Sequence, residues 1–200
     1  MERVGLYLLV LVATLRYTGG AAKPTAMEFI RASCKTTLHA SLCVSCLSSY
    51  AGTIQGSDHL LAKAAVSVSL SNAKSASAFM SKLGHVAGIK PRELQAVRDC
   101  MSTMSNSVSS LSQSVQELEK MARTKGQDFE WHMSNAETWV GSALTNQNMC
   151  GRGFGDSSFN GHVKDAVTKR MAYVSLVTSN ALALINRFAV RHRKGIHKNP

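Results

Sequence analysis

The stretch that decides the fold runs from residue 91 to 124, PRELQAVRDCMSTMSNSVSSLSQSVQELEKMART. Its apolar residues Leu94, Val97, Met101, Met104, Val108, Leu111, Val115, Leu118 and Met121 recur at steps of three and four, and nearly everything between them is polar. An α-helix turns once in about 3.6 residues, so these positions share one face and the polar ones the other. Pro91 suits a first helical position, where its missing N–H would have no intrahelical partner anyway.

Three more segments follow the same rule. Ser57 to Leu83 offers Ala62, Val66, Leu70, Ala73 and Met80; Gln127 to Asn146 offers Phe129, Met133, Ala136, Val140 and Ala143. Asn160 to Arg191 offers Val163, Val167, Met171, Val174, Thr178, Ala181, Ile185 and Phe188. Glycine-bearing breaks separate them at GHVAGIKP, TKGQD and GRGFGDSSFNG. Strict alternation of Val, Ile and aromatic residues is absent, and four amphipathic helices on short connections make an all-α, up-down-up-down four-helix bundle. A shorter unit precedes it, centred on Met27 to Ala51, and reads as a helical hairpin. The expected organisation is therefore a hairpin at 27–55, a bundle at 56–190 and a basic tail at 191–200.

The N-terminus, MERVGLYLLVLVATLRYTGGAA, carries Arg3, an apolar run from Val4 to Leu15 and small residues at Gly20, Ala21 and Ala22. The run is too short for a membrane span of roughly 20 residues and has the layout of a signal peptide, residues 1–22. No later apolar stretch reads as an anchor, so the expectation is a secreted protein in an oxidising compartment. The whole chain has 23 basic and 12 acidic residues; without Arg3, Arg16 and Glu2 the net charge is +10. That balance favours acidic surroundings such as an acidic polysaccharide, and secretion argues against nucleic acid. Arg187, Arg191, Arg193, Lys194 and Lys198 cluster at the C-terminus as a candidate polysaccharide-binding tail, with His192 and His197 among them.

Five cysteines, Cys34, Cys43, Cys46, Cys100 and Cys150, allow at most two disulfides and leave one thiol. Four of the five can pair in fifteen ways, and the residues alone do not choose. The C-x-x-C of Cys43 and Cys46 lacks the strand pattern of a redox dithiol, and a zinc site would need His39 as a fourth ligand in a compartment that favours bridges. The seven histidines form no motif with a serine or an acid, so neither catalysis nor a cofactor is expected.

Several stretches together resemble the plant family of invertase and pectin methylesterase inhibitors: CKTTLHASLC (34–43), LQAVRDCMSTMSNSV (94–108), HMSNAETWVGSALTNQNMC (132–150) and VTSNALALINRF (177–188). The resemblance spans Phe29 to Phe188. It implies a secreted non-enzyme built as a hairpin and a four-helix bundle, with Cys34 paired to Cys43, Cys100 to Cys150, and Cys46 free.

The resemblance also implies a target. Invertase inhibitors of the family carry Pro-Lys-Phe before the third bundle helix; here that place reads KGQDFEW (125–131). The Ala-Glu-Thr-Trp run at 136–139 is similar to the pectin methylesterase branch, whose second to fourth bundle helices cover the enzyme's cleft in a 1:1 complex. The alternatives are an invertase inhibitor of the same fold and a basic protein that only binds acidic pectin. The candidate partner face is Ser102, Asn106, Ser109, Thr138, Trp139 and Thr145. Where the family has acidic residues, this chain has Ser102, Asn106, Ser109 and Arg152, and where the hairpin usually has Tyr-Pro it has His39 and Ala40.

Overall fold

The computed structural model describes residues 23–155 and 161–196. The expected signal segment, His197 and Lys198 lie outside them. Two short helices, α1 (Ala26–Cys34) and α2 (Ala40–Leu47), form the hairpin, and a 3₁₀ turn (Ser48–Tyr50) and one helical turn, α3 (Ala51–Ile54), lead into the bundle. The bundle consists of α4 (Asp58–Leu83), α5 (Pro91–Met121), α6 (Gly126–Gly153) and α7 (His162–Ile196).

Each start has a local cause. Thr25 and Glu28 cap α1 reciprocally: Glu28 N–H donates to Thr25 Oγ1 at 3.2 Å and Thr25 N–H to Glu28 Oε2 at 2.7 Å. Ser57 Oγ accepts from Leu60 N–H at the head of α4. Pro91 opens α5, where Lys90 N–H donates to Glu93 Oε2 at 3.1 Å. The turn before α4 places Gln55 and Gly56 at φ values of 45° and 81°, a left-handed pair that ends α3 sharply.

Short connections force antiparallel neighbours, and α4 packs on α5 and α7 while α6 packs on the same two. The hairpin lies against α4 and α7 through α2. The stripes meet at the centre, where Leu61, Val66, Met80, Val97, Met104, Leu111, Leu118, Met133, Val140, Met171, Val174 and Ile185 are buried. Removing such side chains from water stabilises the fold by about 1.5–3 kcal/mol each. By length and composition alone α7 is also long and apolar enough to cross a membrane, which the sequence reading did not expect of any later stretch. In the bundle its apolar residues Val167, Met171, Val174, Ala181 and Ile185 are core.

Two disulfides staple the structure. Cys34 and Cys43 close the hairpin, with Cα atoms 5.6 Å apart, and Cys100 joins α5 to Cys150 near the end of α6, with Cα atoms 4.5 Å apart. Cys46 is free and half-buried, its Sγ 3.9 Å from the Tyr173 hydroxyl.

The C-terminal boundary differs from the sequence expectation. Helix α7 continues through residue 190 to Ile196, and three of the five cations assigned to a tail are held against the bundle. Arg187 Nη1 and Arg191 Nε converge on the two carboxylate oxygens of Asp58, in the first turn of α4, while Arg193 Nε lies 3.2 Å from Glu130 Oε2 of α6. His192 stacks on Phe129 at 3.8 Å. Of the charges that look unattached in sequence, Arg187 sits in a largely buried pair with Asp58, while Arg191 and Arg193 make more exposed ones beside the buried Phe188 and Ala189.

Candidate partner-binding face

The face follows from how α5 and α6 meet. Serine dominates their seam: Ser114 Oγ donates to the Ala136 carbonyl at 3.1 Å, Ser110 Oγ to Ser142 Oγ at 3.4 Å, and Gln147 Nε2 to Ser107 Oγ at 2.9 Å. Small residues let the two backbones approach closely, and their hydroxyls find partners there, so Ser107, Ser110 and Ser114 are buried although they are polar.

The seam fixes which residues flank it. On α5, Ser102, Asn106 and Ser109 are all exposed, at steps of four and three. On α6, Thr138 and Thr145 are exposed, each with its hydroxyl donated to its own helix, to the Ser134 and Gly141 carbonyls. Trp139 is half-buried; it falls between Asn135 and Ser142, whose side chains reach across the seam to Glu117 and Ser110. The antiparallel register that pairs Ser110 with Ser142 and Ser107 with Gln147 brings Asn106 and Ser109 level with Thr145, and sets Trp139 about a turn further along α5 than Ser109.

Helical spacing also adds a residue that the sequence reading missed. Trp131 lies seven residues before Thr138, on the same stripe of α6, and is 66% exposed; Met149, four beyond Thr145, is 50% exposed. The seven-residue steps 131, 138 and 145 are visible in the sequence, but the reading ended the helix's partner stripe at its aromatic motif and passed over Trp131.

One charged cluster closes the lower end of the seam. Glu117 accepts from Lys120 Nζ at 2.8 Å, His132 Nδ1 at 2.6 Å and Asn135 Nδ2 at 3.4 Å. Burial alone would raise its pKa, and these hydrogen bonds and the Lys120 charge outweigh it, so the carboxyl titrates below its ordinary range. Glu137, on the side of α6 that carries Glu130 and meets Arg193 of α7, is shifted the other way, upward, by burial first, with Arg193 opposing and Glu130 assisting. Among the described residues no three His, Cys, Asp or Glu side chains gather as metal ligands. His39 instead precedes α2, and its carbonyl accepts from Asn180 Nδ2 at 3.1 Å.

The described chain is thus a four-helix bundle with a disulfide-closed hairpin before it, a second bridge from α5 to α6, and an exposed polar strip on those two helices with Trp131 at its margin. The family model described as plant invertase/pectin methylesterase inhibitor matches residues 28–184, and the chain belongs to that family. It is 40% identical to pectinesterase inhibitor 11 of Arabidopsis thaliana, over 92% of this chain and 95% of that protein. To the 21 kDa protein of Daucus carota it is 39% identical, over 92% of this chain and 96% of that one. The crystal structure of a mutant form of a pectin methylesterase inhibitor from Arabidopsis has the same fold, with a TM-score of 0.63 at 17% identity, over 82% of this chain and 97% of that chain.

Proposed function

We propose that this chain inhibits a pectin methylesterase by docking the α5/α6 face over the enzyme's substrate cleft, as a 1:1 complex, and so limits pectin demethylation in the plant cell wall. By family it is an inhibitor and not an enzyme. The observation that carries the mechanism is the face itself. Ser102, Asn106 and Ser109 on α5 and Thr138 and Thr145 on α6 are exposed and uncharged, Trp139 is half-buried along the seam between the two helices, and Trp131 is exposed at the margin. Such a strip excludes a polymer by occupying space and needs no catalytic group. Its neutrality favours a target whose cleft rim is not strongly basic. The apolar run at the N-terminus and the two disulfides support secretion into the wall.

The test is an esterase assay on methylated pectin with added protein, an invertase assay beside it, and the triple variant Ser102→Arg, Asn106→Arg, Ser109→Arg. Inhibition of the esterase alone, lost in the variant while its helical circular dichroism is unchanged, supports the reading. Full inhibition by the variant would move the interface off α5, and inhibition of invertase alone would reverse the choice of target.

A further inference from the structure

We infer that the groove between α4 and α7, on a different side of the bundle from the α5/α6 face, binds the uronate residues of an acidic polysaccharide. The starting point is where the positive charge goes. Arg187 and Arg191 are taken by Asp58, Arg193 by Glu130, Lys63 by Glu119 and Lys120 by Glu117. Among the described residues, Lys169 and Arg170 have no carboxylate within ion-pair distance, as is also true of exposed cations such as Lys74, Arg98 and Arg123; what sets these two apart is that they share a groove with aromatic side chains.

Those two cations are not scattered. Ala166, Lys169, Arg170 and Tyr173 follow one another at helical spacing along one face of α7, and with Phe79 of α4 they line a groove of about 320 Å³. Clefts for small ligands begin at roughly 300 Å³. The Arg170 guanidinium is held over the Phe79 ring, 5.3 Å from its centroid, which fixes the direction of its donors before any ligand arrives. Tyr173 is 41% exposed, and its hydroxyl points to the hairpin, near Cys46. Ala166 leaves room at the other end.

The combination suits one class of ligand. A pyranose ring presents an apolar C–H face that lies on an aromatic side chain, and a uronic acid adds a carboxylate at its rim. A planar guanidinium takes that carboxylate through two parallel hydrogen bonds, with an ammonium beside it as a point charge. A methyl ester at the same position keeps the ring but loses the charge, so the groove should distinguish demethylated from methylated polymer. The inference stands apart from esterase inhibition, because the groove contributes nothing to the proposed inhibitory face.

Binding of the full chain to a short unesterified oligogalacturonide, followed by titration calorimetry without any esterase, tests it. Three variants are compared: Lys169→Gln with Arg170→Gln, Tyr173→Ser, and a control of equal charge change on the exposed α5–α6 corner, Arg123→Gln with Lys125→Gln. The expected result is a loss of at least about tenfold in the groove pair, several-fold in Tyr173→Ser and under about twofold in the control, with esterase inhibition unchanged throughout. The methyl-esterified oligomer should bind the native chain at least tenfold more weakly. Equal losses in the two charge pairs would reduce the effect to general electrostatics and overturn the site, as would failure of the native chain to bind the oligomer.

Discussion

His132 Nδ1 lies 2.6 Å from Glu117 Oε2, tying the first turns of α6 to the last turns of α5 through a carboxylate that Lys120 and Asn135 also hold. Because the folded state depresses the Glu117 pKa, its stabilising effect is complete above the unfolded value of about 4.3 and is lost as pH falls through the lower folded value. Glu117→Gln should therefore cost about 1–3 kcal/mol near neutrality, the worth of hydrogen bonds to a charged group. Thermal melts should show the gap between native and variant closing below about pH 4. A gap that stays constant down to pH 2.5 would mean that the carboxylate charge is not what holds the seam.

The sequence made the bundle legible because hydropathy repeats at 3.6 wherever a helix has one apolar face, as Val97, Met104, Leu111 and Leu118 do. It left the α5/α6 seam hidden. Ser107, Ser110 and Ser114 read as solvent-facing, and their burial depends on partners such as Ala136 and Gln147 that no local pattern reveals. The C-terminal arginines show the same limit: their basic run is plain, but that Asp58, some 130 residues earlier, receives two of them is a consequence of tertiary packing. Exposure of the Ser102, Asn106 and Ser109 triad followed from spacing alone, whereas the half-burial of Trp139 and the exposure of Trp131 needed the seam's register.

Asp58 should be the most sensitive charged residue in the molecule. The Asp58 and Arg187 side chains are 17% and 13% exposed, so removing the acid leaves a poorly solvated cation with no carboxylate beside it and only the Phe29 ring, 5.5 Å from its guanidinium, to face. Burial and the adjacent Arg191 charge already pull the Arg187 pKa below its ordinary value. Breaking a buried pair from one side costs about 3–5 kcal/mol. Asp58→Asn is expected to lower stability by about 3 kcal/mol in urea denaturation, and truncation after Ala189, which removes Arg191, His192 and Arg193 but keeps Arg187, by less. A loss under about 1 kcal/mol for Asp58→Asn would show that Arg187 is solvated well enough without it.

The two disulfides should contribute unequally. Cys100 and Cys150 are 50 residues apart in sequence and Cys34 and Cys43 are 9 apart, so loop-closure entropy gives about 4 kcal/mol for the longer bridge and about 2.7 for the shorter. Paired Ser substitutions at each bridge, compared by denaturation, should follow that order, while Cys46→Ser should change stability by under about 1 kcal/mol. Mass mapping of the native protein that finds Cys46 in a bridge would refute the pairing.

Trp131 offers the sharpest test of where the partner sits. An indole 66% exposed gains most of its value only when another surface covers it, and tryptophan is among the residues whose truncation costs most at protein interfaces. Because it is largely out of the core, Trp131→Ala should leave the thermal midpoint within about 2 °C of the native value. Against a pectin methylesterase the same change should weaken inhibition by about tenfold or more, equivalent to about 1.4 kcal/mol of binding. Trp139, half-buried along the seam, separates the two roles: Trp139→Ala should lower both stability and inhibition. If Trp131→Ala inhibits as well as the native chain while the triple Arg variant on α5 does not, the esterase contacts α5 and leaves the start of α6 in solvent, and the proposed face must be drawn around Ser102, Asn106 and Ser109 without Trp131.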